Sequence, residues 1–166
     1  MASAQQFIDG ADKIYINHGV YIWGGNGEYI EDLRIKDIRI MEENNTENVS
    51  RDLLYISNCY HMGYDMKKAR AVDCSGLVIA VLRDIGCIGK DEDYRARDLQ
   101  DMCEKISLKN LRMGDLVFNK ETAATHVGIH TGSNIVIESQ GRDAGVVRRY
   151  LSSGSWVTGG RLPYFK

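Results

Sequence analysis

Cys74 sits in the run Ala71-Val72-Asp73-Cys74-Ser75-Gly76-Leu77-Val78-Ile79-Ala80-Val81-Leu82, where a small polar cluster passes directly into an apolar helical segment. This pattern predicts a thiol at or near the first turn of a helix, where unpaired N–H groups and the positive end of the dipole favour thiolate over thiol. Such a cysteine is a candidate nucleophile; the plain alternative is a buried structural cysteine. A thiol nucleophile needs a base, most often histidine, and a third polar group that fixes the imidazole tautomer. His126 opens the run Thr125-His126-Val127-Gly128-Ile129-His130, whose alternation aims His126, Gly128 and His130 at one face of a strand. Glu138 lies in the next apolar run and shares its face with Val136 and Gln140. Across the Gly132-Ser133-Asn134 turn His126 and Glu138 can pair, so Cys74, His126 and Glu138 form the chemical hypothesis. Four histidines and 23 acidic residues supply many such pairs, so spacing by itself leaves the hypothesis open.

These residues must be positioned by the elements around them. Residues 4–15 carry Phe7, Ile8, Ala11, Ile14 and Tyr15 at helical spacing, predicting an amphipathic helix that ends near Asn17-His18-Gly19, with His18 as its helix-end polar residue. Val20-Tyr21-Ile22-Trp23-Gly24-Gly25 reads as an opening strand or extended segment whose glycines permit close approach of another backbone or a ligand. Residues 26–70 alternate charge with isolated Ile, Leu and Tyr. They read as an inserted subdomain, with a helix over 49–64 capped by Thr46 or Ser50. Residues 86–93 form a turn and 94–104 a short charged helix. The period then switches. Strands are predicted at the end of 108–118 and over 125–131, 135–140 and 145–150, joined by turns. Helices followed by an antiparallel meander predict a single α+β domain.

Composition narrows the classes of function. The chain has 166 residues, 43% apolar and 27% charged, enough for one globular core. A net charge of -2 without a dense Lys/Arg run argues against nucleic acid as a partner. No membrane span is expected. Cys59, Cys74, Cys87 and Cys103 have neither metal-ligand spacing nor the context of a disulfide scaffold, so free thiols are expected. Cys59 and His61, two apart, are read as ordinary positions, and no metal or cofactor is expected. The first ten residues lack the basic start and apolar run of a secretory signal, which predicts a protein that is cytoplasmic until released, or a trimmed secreted domain.

Four segments in order carry a resemblance: Tyr21-Ile22-Trp23-Gly24-Gly25, Asp73-Cys74-Ser75-Gly76-Leu77, Met113-Gly114-Asp115-Leu116-Val117-Phe118 and His126-Val127-Gly128-Ile129-His130-Thr131-Gly132. They resemble the motifs of the NlpC-type bacterial cell-wall cysteine peptidases over residues 21–25 and 72–161. The resemblance implies a papain-like fold, a nucleophile-bearing helix packed on a small antiparallel sheet. It implies Cys74 as nucleophile, His126 as base and Glu138 as the third polar group. The activity implied is a peptidoglycan endopeptidase that cuts stem peptides, after γ-D-glutamate, through a thioester. An N-acetylmuramoyl-L-alanine amidase or a thioester acyl transferase is the alternative on the same fold, and a noncatalytic wall-binding module is the third class. The oxyanion would lie near the Cys74 N–H, with the Tyr21 hydroxyl as second donor. Asp73 and Ser75 would read the amine or amide end of the stem peptide, although Asp73 can equally cap the helix. His130 is read as a pocket wall or ordinary strand residue, and Gly76 as permitting close packing.

Two features depart from the family pattern. Gly25 and Asp73 are normally joined by a short loop, whereas here residues 26–70 intervene and can cap the cleft and alter the substrate. The third polar residue is often His followed by Ala, whereas this chain has Glu138-Ser139, with Gln140 as runner-up two residues on. The end of the chain, through Gly145-Val146-Val147, Trp156 and Gly160-Arg161-Leu162, is similar to catalytic domains of phage lysins within the family.

Overall fold

The computed structural model describes residues 1–165. Its centre is helix α4 (Cys74–Asp84), in which every side chain from Leu77 to Leu82 is fully buried. A helix apolar on all sides requires neighbours on all sides. They are helix α1 (Ala4–Ile16), strands β1 (Asn26–Tyr29) and β2 (Arg70–Val72), helix α5 (Ala96–Met102) and strands β5 (Val127–His130) and β6 (Ile135–Gly141). Burying an aliphatic side chain contributes roughly 1.5–3 kcal/mol, so α4 is a rigid base for whatever its first turn carries. Helix α1 begins with a capping box between Ser3 and Gln6 and ends at Asn17. His18 follows in the left-handed region (φ 62°) and stacks on Tyr64 with ring centroids 3.9 Å apart.

Residues 26–70 hold β1, helix α2 (Ile35–Met41) and helix α3 (Thr46–His61). Asn45, not Thr46 or Ser50, caps α3: its side chain accepts the Asn48 N–H at 3.0 Å, and Thr46 is already helical. The segment has a core of its own, made from Ile30, Ile38, Val49, Cys59, Met66 and Ala69 together with Val20, Ile22 and Ala71. β1 pairs antiparallel with β2, so the start of this lobe directly braces the chain leading into Cys74.

The main sheet is antiparallel with order β3-β8-β4-β5-β6-β7. Strands β4 (Leu116–Phe118), β5, β6 and β7 (Gly145–Tyr150) are the expected meander. Two strands are additional: β8 (Thr158–Arg161) returns beside β4, and β3 (Glu104–Ile106), whose first residue was expected to end a helix, lies on its outer side. Asp115 is buried. It accepts the Arg112 N–H at 2.7 Å and pairs with Arg161 at 2.8 Å, tying the Met113-Gly114 turn to β8.

Candidate active site

Asp73 is the N-cap of α4. Its Oδ1 accepts the Gly76 N–H at 2.7 Å and the Ser75 hydroxyl at 3.3 Å, while Oδ2 accepts the Gly24 N–H at 2.9 Å. One side chain therefore closes the helix and fastens the glycine pair to it. The Asp73 N–H also donates to Gly25 O at 3.1 Å. This approach explains Gly76: a Cβ there would stand 1.7 Å from Gly25 O. Ser139 of β6 donates its hydroxyl to Val72 O at 2.7 Å, fixing the residues before Cys74 against the strand that carries Glu138.

His126 lies one residue before β5 and is presented by Asn119, just after β4. Asn119 Oδ1 accepts the Thr125 and His126 N–H groups, both at 3.0 Å, and its amide donates to the Thr125 hydroxyl at 2.9 Å. The Cys74 thiol points at this loop, with Sγ 3.8 Å from Thr125 O. His126 Nε2 meets Glu138 Oε1 at 3.1 Å, which leaves Nδ1 as the nitrogen for the thiol. Trp156 stacks nearly parallel on the imidazole, centroids 5.3 Å apart. Glu138 is fully buried, and Arg149 of β7 grips it with two bonds of 3.1 Å, Nε to Oε2 and Nη2 to Oε1.

The electrostatics follow from these contacts. Burial would lower the His126 pKa, but hydrogen bonds and charge from Cys74 and Glu138 outweigh it and raise it to about 9. Burial would raise Glu138, but His126 and Arg149 hold it below the ordinary carboxylate range. Burial raises Asp73 against its backbone hydrogen bonds. The Tyr21 phenol is pushed well up, first by burial and then by the charges of Cys74 and Asp73.

The helix start with Asp73, Cys74 and Ser75 thus faces the loop that carries His126, whose ring Glu138 holds, and the segment with Tyr21 is tied to the same helix start through Gly24. Gln140, the runner-up for the third position, is exposed at the rim of a pocket with Asn119, His126, Glu138, Arg149, Ser155 and Trp156. His130 is buried behind the site, its Nδ1 3.0 Å from Arg112 O. Asn119, Ser139, Arg149 and Trp156 were not legible as site residues, since each acts through a pairing that no helical or strand period marks. Among the described residues no group of three or more His, Cys, Asp or Glu could hold a metal ion. No helix among them is long and apolar enough to cross a membrane.

A helix-borne thiol facing a carboxylate-held imidazole on an antiparallel sheet defines a protein of the papain-like fold. The sequence profile of the NlpC/P60 family matches residues 57–159, and the chain belongs to that family. Among solved structures, the NlpC/P60 domain of the peptidoglycan hydrolase SagA is 18% identical, with 97% of this chain and 100% of that chain covered and a TM-score of 0.61. The P60 domain of antigen MAP1204 from M. avium subspecies paratuberculosis is 16% identical, with 98% of each chain covered and a TM-score of 0.62. The peptidoglycan hydrolase RipB from Mycobacterium tuberculosis is 16% identical over 96% of this chain and 66% of that one, with a TM-score of 0.59. At such identities the likeness establishes the fold. No curated protein sequence matches the chain.

Proposed function

We propose that this chain is a peptidoglycan hydrolase, a cysteine endopeptidase that cuts bacterial stem peptides after γ-D-glutamate. The observation that carries the reading is the Cys74 thiol at the start of α4 beside an imidazole whose far nitrogen is held by Glu138. Family membership and the likeness to the peptidoglycan hydrolases SagA and RipB support the choice of peptidoglycan as substrate. His126 Nδ1 takes the thiol proton and Sγ attacks the scissile carbonyl carbon. The Cys74 N–H and the Tyr21 hydroxyl face the developing oxyanion. The imidazolium then returns its proton to the departing amine, leaving a thioester. Water, giving its proton to His126, attacks that carbonyl; the acid leaves and the thiol is restored.

Asp73 and Ser75 belong to the same proposal as the wall that meets the amine or amide end of the stem. The lobe of residues 26–70 belongs to it as a determinant of access. The test is mass analysis of fragments released from purified wall by wild type and Cys74→Ala. Free peptides ending in γ-D-glutamate support the endopeptidase, whole stems freed from glycan point to the amidase, and activity in Cys74→Ala overturns both. A lysin role is supported if the purified chain lyses whole cells and overturned if it cuts only isolated wall.

A further inference from the structure

Glu42 ends α2 in the lobe and is 3% exposed, an unusual setting for a carboxylate. Its Oε1 accepts the Trp23 N–H at 3.0 Å and Arg142 Nε at 3.1 Å, and its Oε2 accepts Arg142 Nη2 at 2.6 Å. Arg142 stands in the turn between β6 and β7, 100 residues away in sequence. Its guanidinium lies over the Tyr21 ring, 5.3 Å from the centroid, a cation-π contact. Asp52 of α3 is fully buried behind it, 3.6 Å from Arg142 Nε. The lobe holds the same turn twice more, through Arg51 to Asp143 at 2.9 Å and the Tyr55 hydroxyl to Ala144 O at 3.0 Å.

We propose that Glu42 and Arg142 are positioning residues, a clamp through which the lobe fixes the Tyr21 ring and so aims its hydroxyl at the reacting carbonyl beside Cys74. The fixed points lie on both sides of the tyrosine. Glu42 holds the backbone two residues after it through Trp23, and Arg142 covers its ring from above. A bidentate pair of this kind has one geometry, so the ring has one place to rest. The lobe is then part of the oxyanion machinery as well as a wall around it. This inference rests on the hydrolase reading above, and it concerns only how Tyr21 is held.

A double-mutant cycle on soluble muropeptides, with iodoacetamide alkylation of Cys74 and thermal unfolding measured alongside, tests it. Tyr21→Phe is expected to lower kcat on the order of a hundredfold and Arg142→Ala on the order of tenfold. Adding Arg142→Ala to Tyr21→Phe should cost less than about twofold more, because the hydroxyl it positions is gone. Glu42→Gln should behave as a weaker Arg142→Ala, and Cys74 alkylation should stay within about twofold of wild type in all of them. Multiplicative losses in the double variant, an unchanged kcat in Tyr21→Phe, or alkylation that falls in step with kcat would each overturn the clamp. Arg142→Lys, which keeps the charge and loses the fork, carries the same cycle if Arg142→Ala does not fold. Retained hydrolysis in Cys74→Ala would instead sink the hydrolase reading, which separates the two failures.

Discussion

Glu138 is shared between two cations, and removing either of its interactions should move the His126 titration in opposite directions. An imidazole raised from 6.5 to about 9 favours the imidazolium by roughly 3 kcal/mol, the net of burial against hydrogen bonds and charge from Cys74 and Glu138. Two groups supply the upward push, so Glu138→Gln should remove on the order of 1–2 kcal/mol. The substitution also leaves the Arg149 cation without its partner beside the ring, which acts in the same direction. The alkaline limb of kcat/KM, which reports loss of the proton the leaving amine needs, should fall by roughly one pH unit. Arg149→Gln should do the reverse. It frees a fully buried carboxylate to act on His126 alone, and the limb should rise by roughly half a pH unit. The assay is muropeptide hydrolysis from about pH 5 to about pH 10, with Cys74 alkylation followed over the same range. A Glu138→Gln profile that overlays wild type, or an Arg149→Gln limb that moves down, would refute the reasoning. A limb that moves only in Gln140→Ala would transfer the third position to Gln140.

Iodoacetamide should label Cys74 far faster than the other thiols, since burial pushes up Cys59 and Cys87 and, with the Asp115 charge, takes Cys103 to about 12; equal labelling of all four would contradict the site. Gly76→Ala should destabilise the fold by at least about 3 kcal/mol in denaturant titration, because its Cβ would stand 1.7 Å from the fixed Gly25 carbonyl; a loss below about 1 kcal/mol would show that the glycine pair yields. Burial and the neighbouring Glu42 raise Asp52 to about 8, so its contribution to stability is fully present below 3.8 and is lost as pH rises through about 8. Asp52→Asn should therefore gain on wild type across that window, by no more than about 1.4 kcal/mol per pH unit for one proton, and parallel stability curves would remove Asp52 as the titrating group.

The nucleophile helix was legible because Leu77 to Leu82 are apolar without interruption and Asp73-Cys74-Ser75-Gly76 has the residue types of a cap followed by a tight first turn. The cap of α3 was not, since Asn45-Thr46 offers two capping residues in succession and the choice depends on where the preceding turn ends. Strands β3 and β8 are three and four residues long and carry no alternation to read. The glycines of β8 follow from distant neighbours: a Cβ on Gly159 would meet Leu111 at 2.6 Å, and one on Gly160 would meet Cys103 at 2.6 Å. The same is true of the polar groups the sequence left unassigned. Ser139 meets a carbonyl 67 positions away and Arg142 a carboxylate 100 positions away, and no local pattern marks either pairing.

The third position of the site shows how register and burial decide what spacing leaves open. β5 and β6 pair Ile129 with Ile137 and His130 with Val136, and continuing that register sets Gly128 opposite Glu138 and His126 opposite Gln140. Directly opposite pairing would thus favour Gln140, yet the bond runs diagonally to Glu138. Gly128 leaves no side chain in the way, and Trp156 occupies the space above it, stacked on the imidazole. From the other side β7 pairs Arg149 with Val136, so Arg149 also reaches Glu138 on a diagonal, within range of a long side chain. A carboxylate with no exposed surface needs such partners, because an unpaired buried charge costs several kcal/mol. Gln140, exposed and uncharged, needs none and has nothing to hold it against the ring. Glu138 is therefore fixed by two cations at once, and the anchoring by Arg149 helps keep its buried carboxylate charged beside the imidazole.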